Sequence, residues 1–212
     1  MNIDDFKPEN MLSTAFFTGH RFLKAEEKEL IRGKVSRCLD ESYAAGYRRY
    51  FCGCALGFDM LAALETIRLR ERFPDVVLSL AIPCKTQADR WDEADRKIYR
   101  RILDLADDRV LLSPVYYQGV MLTRNRYMAD RSSLCICWLT EMRGGTAYSV
   151  RYALTQNRIR IINLAVPDQT DQADRMREKT WNYMFTSPSA GKNAVTAPLR
   201  LSRGRKLTRR NM

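Results

Sequence analysis

Six short apolar runs recur along the chain, and most stop at or just before a glycine or proline. Residues 14–18 stop at Gly19, 47–52 at Gly53 and 76–82 at Pro83. Residues 109–112 end before Pro114, 134–139 precede Gly144 and Gly145, and 158–164 precede Pro167. Between them, apolar positions fall at helical spacing over residues 25–45, 59–73, 86–106, 120–131 and 146–156. Strands alternating with helices of this length predict parallel pairing through helical crossovers. The runs 76–82 and 134–139 are apolar almost throughout, as in a sheet covered on both faces. The expected fold is α/β and Rossmann-like: a mostly parallel sheet of about six strands with helices on both faces. A last helix is expected over 169–185, packed outside. The domain would then occupy residues 1–185.

Length and composition narrow this further. The 212 residues suit one domain, large enough to bury a core without staples. No apolar run is long enough to span a bilayer. Asp4, Asp5 and Glu9 occupy the start of the chain, where a secretory signal would be apolar. The expected location is therefore cytoplasmic, with no membrane partner. Six cysteines include the pairs Cys52/Cys54 and Cys135/Cys137, whose C-x-C spacing is not that of common zinc sites. Buried free thiols and no metal are expected. Of the net charge of +11, seven cations lie between Lys192 and Arg210 with no acid among them. Residues 186–212 thus read as a disordered basic tail that could hold nucleic acid weakly and non-specifically. The remainder is only mildly basic. A homo-oligomer is compatible with general frequencies.

The glycines stand where an open parallel sheet binds ligands, beyond the carboxyl ends of its strands. Thr18, Gly19, His20 and Arg21 follow the first strand. Free amides in that turn, with Arg21, would suit a phosphate; the plainer reading is a turn. Gly53 and Gly57 follow the second strand and lead to Asp59. They resemble a phosphate nest, though neither a Walker loop nor a dinucleotide fingerprint. Asp59 is either a helix N-cap or a partner for a ribose or for Arg21. An acid there would repel phosphate, which favours the Gly19 and Gly145 loops instead.

Asn125 falls in the middle of an inward stripe made by Met121, Leu122, Met128 and Ala129. It must bond either to neighbouring backbone or to a ligand. Arg124 beside it is either solvated or a guard of the pocket, and the same holds for Arg126. Gly144, Gly145 and Thr146 open the next helix and could offer amides and a hydroxyl to an anion, or form a loop with a Thr cap. Gln87 and Trp91, read as i, i+4 helix neighbours, could meet a base, or Trp91 could be core. His20 is the single histidine, and no acid is visibly paired with it, so no catalytic residue is assigned.

Taken in order, Phe17-Thr18-Gly19-His20-Arg21, Gly53 through Asp59, Arg124-Asn125-Arg126-Tyr127-Met128 and Gly144-Gly145-Thr146 resemble the YpsA-like branch of the SLOG superfamily. The span from Pro83 through Gln87, with Trp91, is similar to that branch too, so that the resemblance covers about residues 15–164. It implies a Rossmann-like fold that binds nucleotides, nucleotide derivatives such as NAD or ADP-ribose, or nucleic acid. The superfamily also holds LOG-type phosphoribohydrolases and the DNA-processing protein A family. Two positions depart from the pattern. Cys54 stands where the branch usually has a second glycine, and Ser149 where LOG-type enzymes carry a catalytic glutamate. The loss of that carboxylate weighs against base–ribose cleavage. The leading expectation is binding or sensing of a nucleotide-derived ligand. The alternatives are a nucleotide hydrolase using Arg21, Asp59 or His20, and a single-stranded nucleic-acid binder.

Overall fold

The computed structural model describes residues 8–166. Six strands, β1 (Thr14–Gly19), β2 (Arg49–Cys52), β3 (Val77–Ile82), β4 (Asp108–Leu111), β5 (Leu134–Trp138) and β6 (Arg160–Asn163), form one sheet. Its order is β4-β3-β2-β1-β5-β6, and every pairing is parallel. The connecting helices are α1 (Lys28–Ala44), α2 (Phe58–Arg72), α3 (Glu93–Leu105), α4 (Val120–Asp130) and α5 (Gly144–Thr155). This is the expected Rossmann-like arrangement. From β1 the chain steps outward through β2 and β3 to β4, then returns to β5 on the other side of β1. Crossovers of one hand running in opposite directions lie on opposite faces. Accordingly α1, α2 and α3 share one core with Ala15, Phe17 and Tyr50, whereas α4 and α5 share another with Phe16 and Phe51.

The two cores follow from the period of two along β1, which sends Phe16 and Phe17 to opposite faces. Phe17 stacks on Tyr50 at 5.9 Å between ring centroids. The Tyr50 hydroxyl, buried beneath α1, is satisfied by Ser42 Oγ at 2.8 Å. All six cysteines are buried with free thiols. Among the described residues no helix is long and apolar enough to cross a membrane.

Element boundaries differ from the sequence reading in three places. The helix expected over 86–106 begins only at Glu93, because the Asp92 carboxylate caps it by accepting from the Asp95 amide at 2.8 Å. The preceding residues form turns, closed by bonds such as Gln87 N–H to the Cys84 carbonyl. Gln87 and Trp91 are therefore not neighbours on one helix. The stretch 25–45 divides into a 3₁₀ turn, Ala25–Glu27, and α1. Gly57, at φ +80°, holds the N-cap position of α2, so Asp59 lies inside the first turn and is not the cap. The helix expected over 169–185 and the basic tail lie outside the described residues.

Candidate functional site

The strands β1 and β5 are hydrogen-bonded neighbours whose crossovers depart in opposite directions. Their carboxyl ends flank the switch point at which ligands enter such sheets. His20 joins the two ends. Its backbone N–H donates to the Trp138 carbonyl at 3.3 Å, and its Nε2 accepts from the Thr140 amide at 3.0 Å. An accepting Nε2 requires the neutral ring with its proton on Nδ1. Burial lowers the His20 pKa in the same sense; Glu141 pulls it up and Arg143 pushes it down. Thr18 is buried directly below, and Arg21 points out into solvent.

The glycines of the first two loops serve close packing within the protein. A Cβ on Gly19 would overlap the Phe58 side chain, and one on Gly57 would overlap the carbonyls of His20 and Arg21. The Phe58 amide donates to the His20 carbonyl at 3.2 Å. The loops after β1 and β2 are thus pressed together, and only residues without a Cβ fit the seam.

The loop after β2 is filled from within. The Arg124 guanidinium occupies the space where a Gly53 Cβ would stand, and its Nη1 donates to the Gly53 carbonyl at 2.5 Å. Gln87 Nε2 donates to the same carbonyl at 3.2 Å and to that of Cys54 at 2.8 Å. The arrangement binds the protein's own cation through carbonyls, and the nest expected of this loop would instead use amides on an anion. Cys54 adopts φ +48°, a left-handed conformation uncommon for a residue with a side chain. Its amide donates to Cys52 Sγ at 3.2 Å, which holds the turn.

Asp59 and Arg124 are both buried near this loop. Burial pushes the Asp59 carboxyl up to about 6, opposed by Arg124, the Ala55 amide, Arg21 and the Gly19 amide. Burial likewise lowers the Arg124 pKa, with Asp59 the largest opposing influence. Each charge only partly offsets the burial of the other, and burial remains the larger influence on both.

Asn125, adjacent on α4, carries the network to α5. Arg124 Nε donates to Asn125 Oδ1 at 2.6 Å, Asn125 Nδ2 donates to Ser149 Oγ at 2.6 Å, and Ser149 Oγ donates to the Gly145 carbonyl at 2.9 Å. One pair of consecutive residues on α4 thereby holds the loop after β2 and the first turn of α5. Thr146 is buried in that turn, whereas Gly144 (φ +75°) and Gly145 are exposed, with nothing within 4 Å of a Cβ at either. Arg126 lies outside, its Nε donating to the Tyr148 hydroxyl at 2.6 Å.

The structure thus places Thr18, Gly19, His20, Arg21, Gly144, Gly145 and Thr146 at the carboxyl ends of β1 and β5 and in the segments that follow them. It gathers Gly53, Gly57, Asp59, Gln87 and Arg124 into an internal cluster under the second loop, with Asn125 linking the two. Trp91 stands apart, packed edge-on against Tyr99 at 5.3 Å and against the α1–α3 core. Two participants carried no sequence signal: the Thr140 amide and the Ser149 hydroxyl as a relay.

The fold and its strand-end loops define a Rossmann-like α/β domain of the SLOG kind. The model of the YpsA family, described as the YspA SLOG family, matches residues 18–166, and the chain belongs to this family. Among its relatives, a UPF0398 protein of Halalkalibacterium halodurans is 29% identical over 46% of this chain and 53% of its own length. The SPbeta prophage-derived protein YoqJ of Bacillus subtilis is 26% identical over 50% of this chain and 68% of its own. The first of these matches thus spans about half the relative's length. Two solved structures of DNA processing protein A share the fold. That of Helicobacter pylori, described for its single-stranded DNA binding mode, gives a TM-score of 0.53 at 16% identity, covering 82% of this chain and 76% of that one. That of Streptococcus pneumoniae gives 0.57 at 14% identity, covering 82% and 57%.

Proposed function

We propose that this domain binds the phosphate of a nucleotide-derived ligand, of the NAD or ADP-ribose type, at the carboxyl ends of β1 and β5. The observation that carries the reading is the contrast between its two glycine loops. The loop after β2 is occupied by Arg124 and Gln87, while the amino end of α5 at Gly144 and Gly145 is open. Helix amino ends present free amides and a partial positive charge to anions, and exposed Arg21 follows the neighbouring strand. Binding without hydrolysis is supported by Ser149. Its hydroxyl is engaged by Asn125 and Gly145 and offers no carboxylate to an oxocarbenium-like centre. Calorimetric titration of the full chain with NAD, ADP-ribose and AMP tests this. Binding that weakens in Arg21→Ala is expected, and no heat from any of the three at millimolar concentration would overturn it.

Exposed aromatic rings favour a second reading, single-stranded nucleic acid at the same end of the sheet. Phe22 follows β1, and Tyr116 and Tyr117 follow β4, all solvent-exposed. Aromatic rings beside cations suit unpaired bases, and the Helicobacter pylori relative in fold is described as a single-stranded DNA binder. Gel shifts separate the two readings: oligonucleotide binding far tighter than that of any mononucleotide would favour the second.

A further inference from the structure

Phe22 is 91% exposed, the most exposed of the large apolar side chains among the described residues. Its setting is not slack. The carbonyls of His20 and Arg21 abut Gly57 so closely that no Cβ fits between them, and the Phe58 amide bonds the His20 carbonyl. On the other side Leu23 packs against the α1–α3 core. The ring therefore projects into water from a stem fixed at both ends, one residue beyond Arg21 and at the carboxyl end of β1. Of the residues read from sequence as base contacts, Gln87 is buried and Trp91 packs on the core. Gln87 donates to the Gly53 and Cys54 carbonyls, and Trp91 packs on Tyr99.

We infer that Phe22 is the stacking platform for the base of the ligand whose phosphate lies at Arg21 and the amino end of α5. This rests on the strand-end reading above and adds to it the residue that meets the base. Arg21 and Phe22 are consecutive and both exposed, which leaves their side chains free to engage the phosphate and the base of one nucleotide across its ribose. A phenyl ring has neither donor nor acceptor. It holds any base by its π-face, and the site is therefore selective for the presence of a base over its identity.

The test is calorimetry on the full chain with AMP and ADP-ribose as base-bearing probes and ribose 5-phosphate as the base-free one. Phe22→Ala should weaken AMP and ADP-ribose by about tenfold or more, leave ribose 5-phosphate unchanged, and keep the wild-type melting temperature, since the ring is already in water. Phe22→Trp should restore binding. Wild-type affinity for AMP and ADP-ribose in Phe22→Ala would overturn the stacking role while leaving the phosphate site intact. If Phe22→Ala instead splits a dimer in size-exclusion chromatography with ligand affinity unchanged, the ring is an interface residue and the proposal fails. No binding of any probe by the wild type would overturn the strand-end reading, and the platform with it.

Discussion

The Arg124 guanidinium fills the place where a side chain on Gly53 would begin, and donates to the Gly53 carbonyl. Each residue therefore sets the identity of the other. Gly53→Ala should cost about 1–3 kcal/mol through overpacking against a buried, charged neighbour. In an Arg124→Met background the same substitution should cost much less, because the longer part of the clash is gone. Urea denaturation of the four proteins of this cycle measures the coupling. Equal costs in both backgrounds would mean that the loop moves aside freely.

Asn125 has both amide ends satisfied inside the protein, by Arg124 and Ser149. Asn125→Leu should therefore destabilise the fold by about 1–3 kcal/mol, leaving a buried guanidinium nitrogen and a hydroxyl with one partner fewer. Any loss of ligand affinity should follow from movement of the α5 amino end through Ser149. A leucine variant as stable as the wild type would show that Asn125 is not part of the relay.

Gly145→Val probes the open helix end. Nothing lies within 4 Å of a Cβ at this position, so the fold should survive with a change within about 1 kcal/mol, the span of ordinary helix propensities. The branched side chain would cover the amides, and nucleotide binding should be lost. Retained affinity in the folded variant would place the phosphate elsewhere.

His20 and Asp59 make opposite pH signatures. The His20 pKa is lowered, so its contribution to stability is present above the unfolded value near 6.5 and is lost as pH falls through the folded one. Protonation at Nε2 also breaks the Thr140 bond. A histidine titration followed by NMR should give a midpoint below 6.5. A higher midpoint would contradict an accepting Nε2.

The Asp59 carboxyl is raised from 3.8 to about 6. The folded state holds its proton longer than the unfolded one, so stability from this group is fully present below about pH 4 and lost as pH rises to about 6. The difference is on the order of 3 kcal/mol for two units. Comparing melting temperatures of Asp59→Asn and the wild type across pH 4 to 7 isolates it. The wild type should fall relative to the variant over that window, and parallel curves would refute the shift.

The alternation of apolar runs with helical stretches was enough to determine the parallel α/β fold, because burying both faces of a sheet leaves a mark on its inner strands, such as β3 and β5. Phe16 and Phe17 show this in two letters: one enters each core. The sequence also marked the strand-end glycines, since breaks in the apolar pattern are local. It could not tell why each glycine is there. Gly19, Gly53 and Gly57 face a side chain or carbonyls brought in from other segments, with Arg124 reaching Gly53 from 71 residues away. Gly145 faces open space. The same residue type thus closes one loop and leaves another accessible, and only the packing of distant segments distinguishes them. Likewise, burial of Arg124 and exposure of Phe22 invert what their side chains favour in isolation. Local propensity carries no information about such inversions, because transfer free energy depends on the surroundings that the fold supplies.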